Sequence, residues 1–272
     1  EIGISDDRIS NWVNAKEPWI FGYWYFDWSD MTTPIEAFDV AKKSIKTKYA
    51  TPFSVNTERP VYVYNMLEEL DAPGEWFYDK DSGELFVYPL SDQADANLLL
   101  AFSSNNLLNI SGAENVEMRN IIFKGTRGAG IVVASGKNIS LSYCTVTNVS
   151  GAGINAEGTD ITIDGCHVYN IGTKGIVITG GDQENLVPSG NEVKNCIVHN
   201  VARLTKMMQP GIQLTGVGQH IHHNLVYDCP QLGINFGGND HVIEYNEIHD
   251  CMKESTDGGA VYAGQRYEHQ GN

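Results

Sequence analysis

From residue 106 onward the chain repeats itself, and the period of that repeat leaves few folds open. Gly-Ile pairs stand at Gly130-Ile131, Gly153-Ile154, Gly175-Ile176, Gly211-Ile212 and Gly233-Ile234, at intervals of 23, 22, 36 and 22 residues. Each pair opens a short apolar run, and a second run follows about ten residues later. Aligned, the second runs form columns. Leu141, Ile163, Val193, Ile221 and Ile243 make one; Cys144, Cys166, Cys196, Asn224 and Asn246 the next; Val146, Val168, Val198, Val226 and Ile248 a third; Asn148, Asn170, Asn200, Asp228 and Asp250 a fourth. Apolar and polar positions alternate with period 2, so these are strands with one buried face.

Coils of about 22 residues carrying two or three short strands, with Gly, Asn and Asp at the turns, predict an all-β right-handed parallel β-helix. Leucine-rich repeats share the length, but their L-x-x-L-x-L pattern is absent. Each coil of a β-helix stacks on the last at about 4.8 Å, so equivalent side chains form ladders. The Asn148 column is read as such a ladder, with amides hydrogen-bonding along the stack. The five cysteines are odd in number and lack C-x-x-C spacing, which argues for small buried hydrophobes over zinc ligands or disulfides. Such arrays need capped ends. The last coil stops just after a strand and reads as uncapped, so further protein is expected beyond Asn272.

Residues 1–100 carry no repeat and all five tryptophans, Trp12, Trp19, Trp24, Trp28 and Trp76. VYVYNMLEEL, GEWFYDKDSGELFVYP and the LLLAF before Ser103 read as strands, with a hairpin turn at Lys80-Asp81-Ser82-Gly83. The expectation is a β-rich module over 1–100 that caps the N-terminal end of a β-helix over 101–272. The aromatics of WIFGYWYFDWSD fit either a core or a carbohydrate-stacking platform.

The formal net charge of −16, from 34 acidic and 18 basic residues, argues against nucleic acid and anionic membranes as partners. It also disfavours a strongly polyanionic substrate. No run of about 18 apolar residues exists to span a membrane. The N-terminal EIGISDDRISNW lacks a basic n-region and an apolar h-region, so it is no signal peptide. The segment is then a mature or excised piece, or the protein is cytosolic.

Three segments, WIFGYWYFDWSD, EELDAPGEWFYDKDSGELFVYP and NDHVIEYNEIHDCMKESTDGGAVYAG, resemble secreted bacterial right-handed parallel β-helix proteins. Among these are glycoside hydrolases of the type found in families 141 and 120. The resemblance spans roughly residues 10 to 264, whereas the coil repeats are generic and also fit polysaccharide lyases and pectinases. It implies a secreted or periplasmic enzyme acting on plant-type or host polysaccharides or oligosaccharides by carboxylate acid/base chemistry; a monomer that needs no cofactor is the accompanying expectation.

A β-helix is a rod, and its groove forms where loops interrupt the coils. The connection before each Gly-Ile strand is usually short, as in Ser150-Gly151-Ala152 or Pro230-Gln231-Leu232, but it is long at 202–210 and 251–259. Both long loops sit at one phase of the repeat, so they wall a groove two strand spacings, or roughly 10 Å, across. The insertion GGDQENLVPSG at 180–190 has a different phase. Arg203, Lys206 and Gln209 are assigned to one wall, and Glu254 and Asp257 to the other. Outward-facing Gln213, Asn235 and Tyr262 form the floor, and His199 and His249 precede the two loops.

Glycoside hydrolysis needs two carboxyl groups about 5 to 10 Å apart, one a proton donor and the other a nucleophile or base. Asp257, in a DGGAVY motif resembling the family's, is the leading candidate; its partner is Glu254, Asp240, or a group beyond Asn272. Asp257-Gly258 also fits a simple turn, and Asp240 a turn cap. A polysaccharide lyase would instead use a cation, often Ca²⁺, and a base drawn from Lys206, Arg203 and His249. No Asp/Glu set at Ca²⁺-ligand spacing stands out, and no metal is assigned. A non-catalytic glycan-binding fragment is the third class. His220-Ile221-His222-His223 mimics a metal cluster, but column alignment puts His222 outward beside Lys194 and Glu244, as on a solvated strand face. Asp160 and Asp164 likewise read as exposed strand positions.

Overall fold

The columns of the repeat become parallel ladders whose partners lie one coil away. The computed structural model describes residues 1–90 and 98–263, and the chain divides into two compact units, one over residues 1–98 and one from Leu99 onward. In the second unit Leu108, Ile131, Ile154, Ile176, Ile212, Ile234 and Val261 stand in register, each paired with the next. A second row runs Met118, Leu141, Ile163, Val193, Ile221, Ile243. A third runs Phe123, Val146, Val168, Val198, Val226, Ile248. The first two rows occupy the two arms of one eleven-stranded sheet, and the third a six-stranded sheet. One coil is therefore first arm, bend, second arm, turn, six-stranded sheet and corner: the parallel β-helix expected from the repeat.

Burial follows alternation. Ile131, Ile154, Ile176, Ile212 and Ile234 are fully buried, as are Val146, Val168, Val198 and Val226, and all join one continuous core. Each such side chain contributes about 1.5–3 kcal/mol by leaving water. Cys144, Cys166, Cys196 and Cys229 are buried in this core, and none of the five cysteines is in a disulfide. The neighbouring cysteine, together with burial, pushes the Cys196 and Cys229 thiols up, so they stay protonated. Above Cys196 the same turn column changes to amides. Asn224 Oδ1 accepts from the Cys196 amide at 3.0 Å, and Asn246 Oδ1 accepts from the Asn224 amide at 3.0 Å.

The Asn148 column differs from the expected amide ladder. Among the described residues the side-chain link along it is a single rung, Asn200 Nδ2 donating to Asn170 Oδ1 at 2.5 Å. What the column shares is backbone: φ is +54°, +56°, +49°, +55° and +49° at Asn148, Asn170, Asn200, Asp228 and Asp250. Asn and Asp tolerate this left-handed conformation best among residues with a Cβ. The corner thus selects them for its turn geometry, and Asp serves as well as Asn because no ladder is required.

Glycines mark where successive coils approach most closely. At the bend between the arms, a Cβ on Gly158 would lie 1.9 Å from the Gly136 carbonyl oxygen, and its φ is +151°. Before the first arm, a Cβ on Gly175 would lie 2.4 Å from the Gly211 carbonyl oxygen. The Gly of each Gly-Ile pair is therefore a stacking requirement.

The first unit holds a five-stranded antiparallel sheet in the order Ile2–Gly3, Ser44–Thr47, Met31–Asp39, Trp19–Gly22, Val61–Tyr64. Its core includes Ile9, Trp12, Ile20, Trp24 and Ile45. The hairpin forms as expected, Trp76–Asp79 pairing with Glu84–Val87 around a turn closed by Gly83 at φ +75°. WIFGYWYFDWSD divides in two. Ile20, Phe21, Tyr23 and Trp24 are buried, whereas Tyr25 is exposed and Phe26 stacks on Trp28 at 4.9 Å. The strand expected at LLLAF does not form: residues 98–102 are irregular, and the Ser103 carbonyl accepts from the Arg127 amide of the coil above. Among the described residues no helix is long and apolar enough to cross a membrane.

Gly158→Ala is expected to destabilise the second unit by at least about 2 kcal/mol, because a strained backbone and a displaced coil carbonyl add together. Gly3→Ala, where a Cβ meets nothing within 4 Å, is the control. Thermal melts of the two variants check the difference.

Candidate functional site

The 27-residue coil step from Ile234 to Val261 puts its extra residues into the corner between the six-stranded sheet and the first arm, and the 36-residue step from Ile176 to Ile212 divides its extra residues between that corner and the 180–190 insertion at the bend. The loop from Ala202 folds back on the preceding coil: the amides of Ala202, Arg203 and Leu204 donate to the carbonyls of Thr173, Ile171 and Gly172 at 2.8, 3.0 and 2.9 Å. The 251–259 loop lies on the short connection instead, with Met252 and Glu254 amides donating to Gln231 and Pro230 carbonyls, both at 2.9 Å.

Gln231, 1% exposed, joins the two loops. Its Oε1 accepts from the Met208 amide at 2.7 Å, and its Nε2 donates to the Asp257 carbonyl at 2.6 Å. A buried amide with both ends used is a stiff tie, since losing either partner leaves a polar group unsatisfied. Sequence reasoning missed this residue. The available signal was an amide between Pro230 and Leu232 in the one short connection flanked by two long loops.

The loops meet across the expected groove. Lys206 Nζ lies 2.9 Å from Glu254 Oε1, and Lys253 Nζ lies 2.5 Å from Asp228 Oδ1. Beneath these pairs is a cavity of about 90 Å³ lined by residues that include Asn200, Arg203, Asp228 and Pro230. That volume holds a few waters or one functional group, well short of the roughly 300 Å³ that takes a whole ligand. The open width of about 10 Å inferred from strand spacing is spanned here because a lysine stem reaches from one wall to the other. Such partly exposed pairs are worth about 0–1 kcal/mol.

Gln213, Asn235 and Tyr262 are in register on the outward face of the first arm, over buried Ile212, Leu214 and Ile234. Asn235 Nδ2 donates to Gln213 Oε1 at 3.2 Å. Arg203 is exposed at the cavity rim, and Gln209 is half-buried in the loop before Pro210. The Asp257 backbone is held in a turn by Ser255 Oγ, which accepts its amide at 3.2 Å, and by Gln231; its side chain is on the exposed side of the loop.

Two expected groups lie elsewhere. Asp240, at φ +56°, turns the chain between Ile234–Asn239 and Val242–Glu244. Asp257 precedes Val261, the partner of Ile234, so the two carboxylates are at opposite ends of one strand, roughly 20 Å apart. That exceeds the separation either stereochemical course of glycoside hydrolysis uses. His199 and His249 are round the corner, on the outward face of the six-stranded sheet. There Tyr169, His199, Tyr227 and His249 form a continuous stack, with centroids 5.3, 4.6 and 5.1 Å apart and interplanar angles of 2°, 5° and 7°. Their faces cover one another, so the stack presents edges to solvent. Burial lowers the pKa of both His199 and its neighbour His167, whose Nε2 atoms are 3.0 Å apart.

Lys174 was not anticipated. It ends the corner connection one coil below the 202–210 loop, immediately before Gly175, and is half-buried. Burial lowers its pKa below the ordinary lysine value. The 180–190 insertion stands apart at the bend, folded on itself by an Asp182–Val187 bridge and by Asp182 Oδ1 accepting from the Glu184 amide at 2.9 Å. Among the described residues, three metal-ligating side chains converge away from the corner, at Glu192, His220 and His222.

Gln231→Ala is expected to cost about 1–3 kcal/mol and to expose 202–210 and 251–259 to limited proteolysis at the same time. Cleavage of neither loop would show that they stand independently of the tie. The two histidines give a pH dependence. The unfolded chain binds protons near pH 6.5, and the folded His167 and His199 resist them, so stability is lost as pH falls through about 6.5. His167→Thr with His199→Tyr, which repeat Thr145 and Tyr169 of the coil below, should flatten the melting temperature between about pH 7.5 and 5.5.

Residues 95–206 match the family model described as right-handed beta helix region. A solved structure named "Glycoside hydrolase" superposes with a TM-score of 0.68 at 16% sequence identity, over 92% of this chain and 57% of its own. The chain thus spans little more than half the length of that protein. No curated protein matches by sequence. At this identity the likeness is one of fold, and the chain is a right-handed parallel β-helix with an additional antiparallel β unit at its N-terminal side.

Proposed function

We propose that the corner of this β-helix is the working part of a carbohydrate-active enzyme, a glycosidase that hydrolyses a neutral plant-type or host glycan by carboxylate chemistry. The observation that carries the reading is the union, at one corner, of a carboxylate-bearing loop anchored by Gln231 and the polar row Gln213–Asn235–Tyr262 beside it. Amides and a phenol on a flat strand face suit the hydroxyls of a sugar, which need donors and acceptors at fixed spacing. The name of the structural neighbour agrees with this class.

In this reading Asp257 and Glu254 are the two carboxyl groups and Asp240 is not part of the pair. Arg203, Lys206 and Gln209 line one side of the bound glycan. The Lys206–Glu254 pair is partly exposed, so parting it to admit substrate costs little. The chemistry uses carboxylates alone and calls for no cofactor, and a secreted or periplasmic setting is where such a substrate is met.

One observation favours a second reading. Arg203, Lys206 and Lys253 line the corner cavity, and Lys174, with its lowered pKa, is on the same edge. Cations that neutralise a uronate carboxylate, with an amine as base, are the requirements of a β-eliminating lyase.

Asp257→Asn is expected to lower kcat on a neutral polysaccharide by at least about 10²–10⁴-fold without changing the melting temperature. Reducing-end release is the assay, and unchanged release would remove Asp257 from the mechanism. Products that absorb in the near ultraviolet, formed on a uronate-containing glycan in a Ca²⁺-dependent way, would decide for the lyase.

A further inference from the structure

The outward face of the second arm carries a cluster that the corner chemistry does not use. Glu192 and His220 pair across adjacent coils, as do Lys194 and His222, and Glu244 follows His222 in the next coil. His220 and His222 are two apart on one strand, so both project from the same face. Their ring centroids are 4.1 Å apart. His222 Nε2 lies 2.8 Å and His220 Nδ1 4.0 Å from the same oxygen, Glu192 Oε1, and one donor atom from each residue falls within 4.8 Å of the others. Tetrahedral ligands about 2.0–2.1 Å from a metal stand about 3.3 Å from each other, inside this range.

The atoms pointing away from this centre are already held. His220 Nε2 is 3.1 Å from Glu244 Oε1, and His222 Nδ1 is 2.7 Å from His223 Nδ1. Lys194 Nζ bonds the other Glu192 oxygen, Oε2, at 2.5 Å. Each imidazole therefore has its outer nitrogen fixed by a second group while its inner nitrogen faces Glu192 Oε1, the arrangement that orients ligands in metal sites. The patch is partly shielded, with the His222 side chain 15% and Glu192 25% exposed. Its fixed charges, Asp164, Glu192 and Glu244 against Lys194, favour a cation.

We propose that Glu192, His220 and His222 bind a divalent first-row transition metal of the Zn²⁺ or Co²⁺ class, which joins two neighbouring coils. Two imidazoles and one carboxylate select this class over Ca²⁺ or Mg²⁺, which prefer all-oxygen shells. The ion links strand Glu192–Lys194 to strand His220–His222, across the coil with the 180–190 insertion, and stabilises the rod there by binding only the folded state.

Titrating the full chain with Zn²⁺ by calorimetry, and with Co²⁺ by visible absorption, tests this. The expected result is one saturable ion per chain with a Kd of about 10 µM or tighter, and a melting temperature that rises with added Zn²⁺. His220→Gln and His222→Gln should each weaken binding at least about 100-fold, and Glu244→Gln about 10- to 100-fold by loosening His220. Lys194→Met, which removes the competing cation, should keep or tighten binding. All four positions face outward, and melts in chelator confirm that each variant folds. Absence of saturable binding up to about 1 mM Zn²⁺, or parent-like binding in the His220→Gln, His222→Gln double variant, overturns the proposal; the latter assigns the ion to other imidazoles, such as His167 and His199.

Discussion

Hydrogen bonding between one coil and the next is the constraint on which the second unit depends. Parallel strands about 4.8 Å apart leave no latitude in register, so a position in one coil must suit the same position in its neighbours. Apolar columns interdigitate into a core because their strands cannot slip without turning every side chain outward. Glycine columns follow where backbone meets backbone, as at Gly158 against the Gly136 carbonyl. Left-handed corners follow where each coil must turn, and Asn or Asp fills them.

The same constraint decides where chemistry can be added. A strand cannot take extra residues, but a corner or a bend can, and the chain uses both: the long loops at 202–210 and 251–259 share the corner, and 180–190 occupies the bend. Extra residues alone would make loose loops. The corner is ordered by backbone bonds to the coil beneath and by a buried amide, Gln231, that reaches both insertions. The ion pairs beside it are more exposed and are individually worth little.

The rod also has outward faces of different character. The first arm offers amides and a phenol, the six-stranded sheet offers a closed stack of Tyr and His rings, and the second arm offers imidazoles and carboxylates. All three arise because one outward position per coil is repeated in space by the stack. A pair of residues that is unremarkable in one coil becomes a row of four in the folded chain, as Tyr169, His199, Tyr227 and His249 illustrate.

The fold was legible because its determinant, a period of about 22 residues with alternation inside it, is written directly in the chain. Columns such as Leu141 to Ile243 and Val146 to Ile248 are the observed ladders residue for residue, and Ala260-Val261 takes the Gly-Ile place five residues late. The phase of the two long loops was readable for the same reason. Three things were not. The Asn148 column reflects backbone torsion, which composition cannot separate from side-chain bonding. Asp240 and Asp257 are 17 residues apart in sequence, and only the direction of strand Ile234–Asn239 puts Asp257 near the corner and Asp240 at the bend. Gln231 and Glu192 gain their meaning from partners 23 to 30 residues away, contacts that depend on how a given coil's insertion closes. The sequence by itself determined the coil, its core and its corners, because those repeat; the tertiary structure decided which non-repeating side chains meet, because that depends on loop closure.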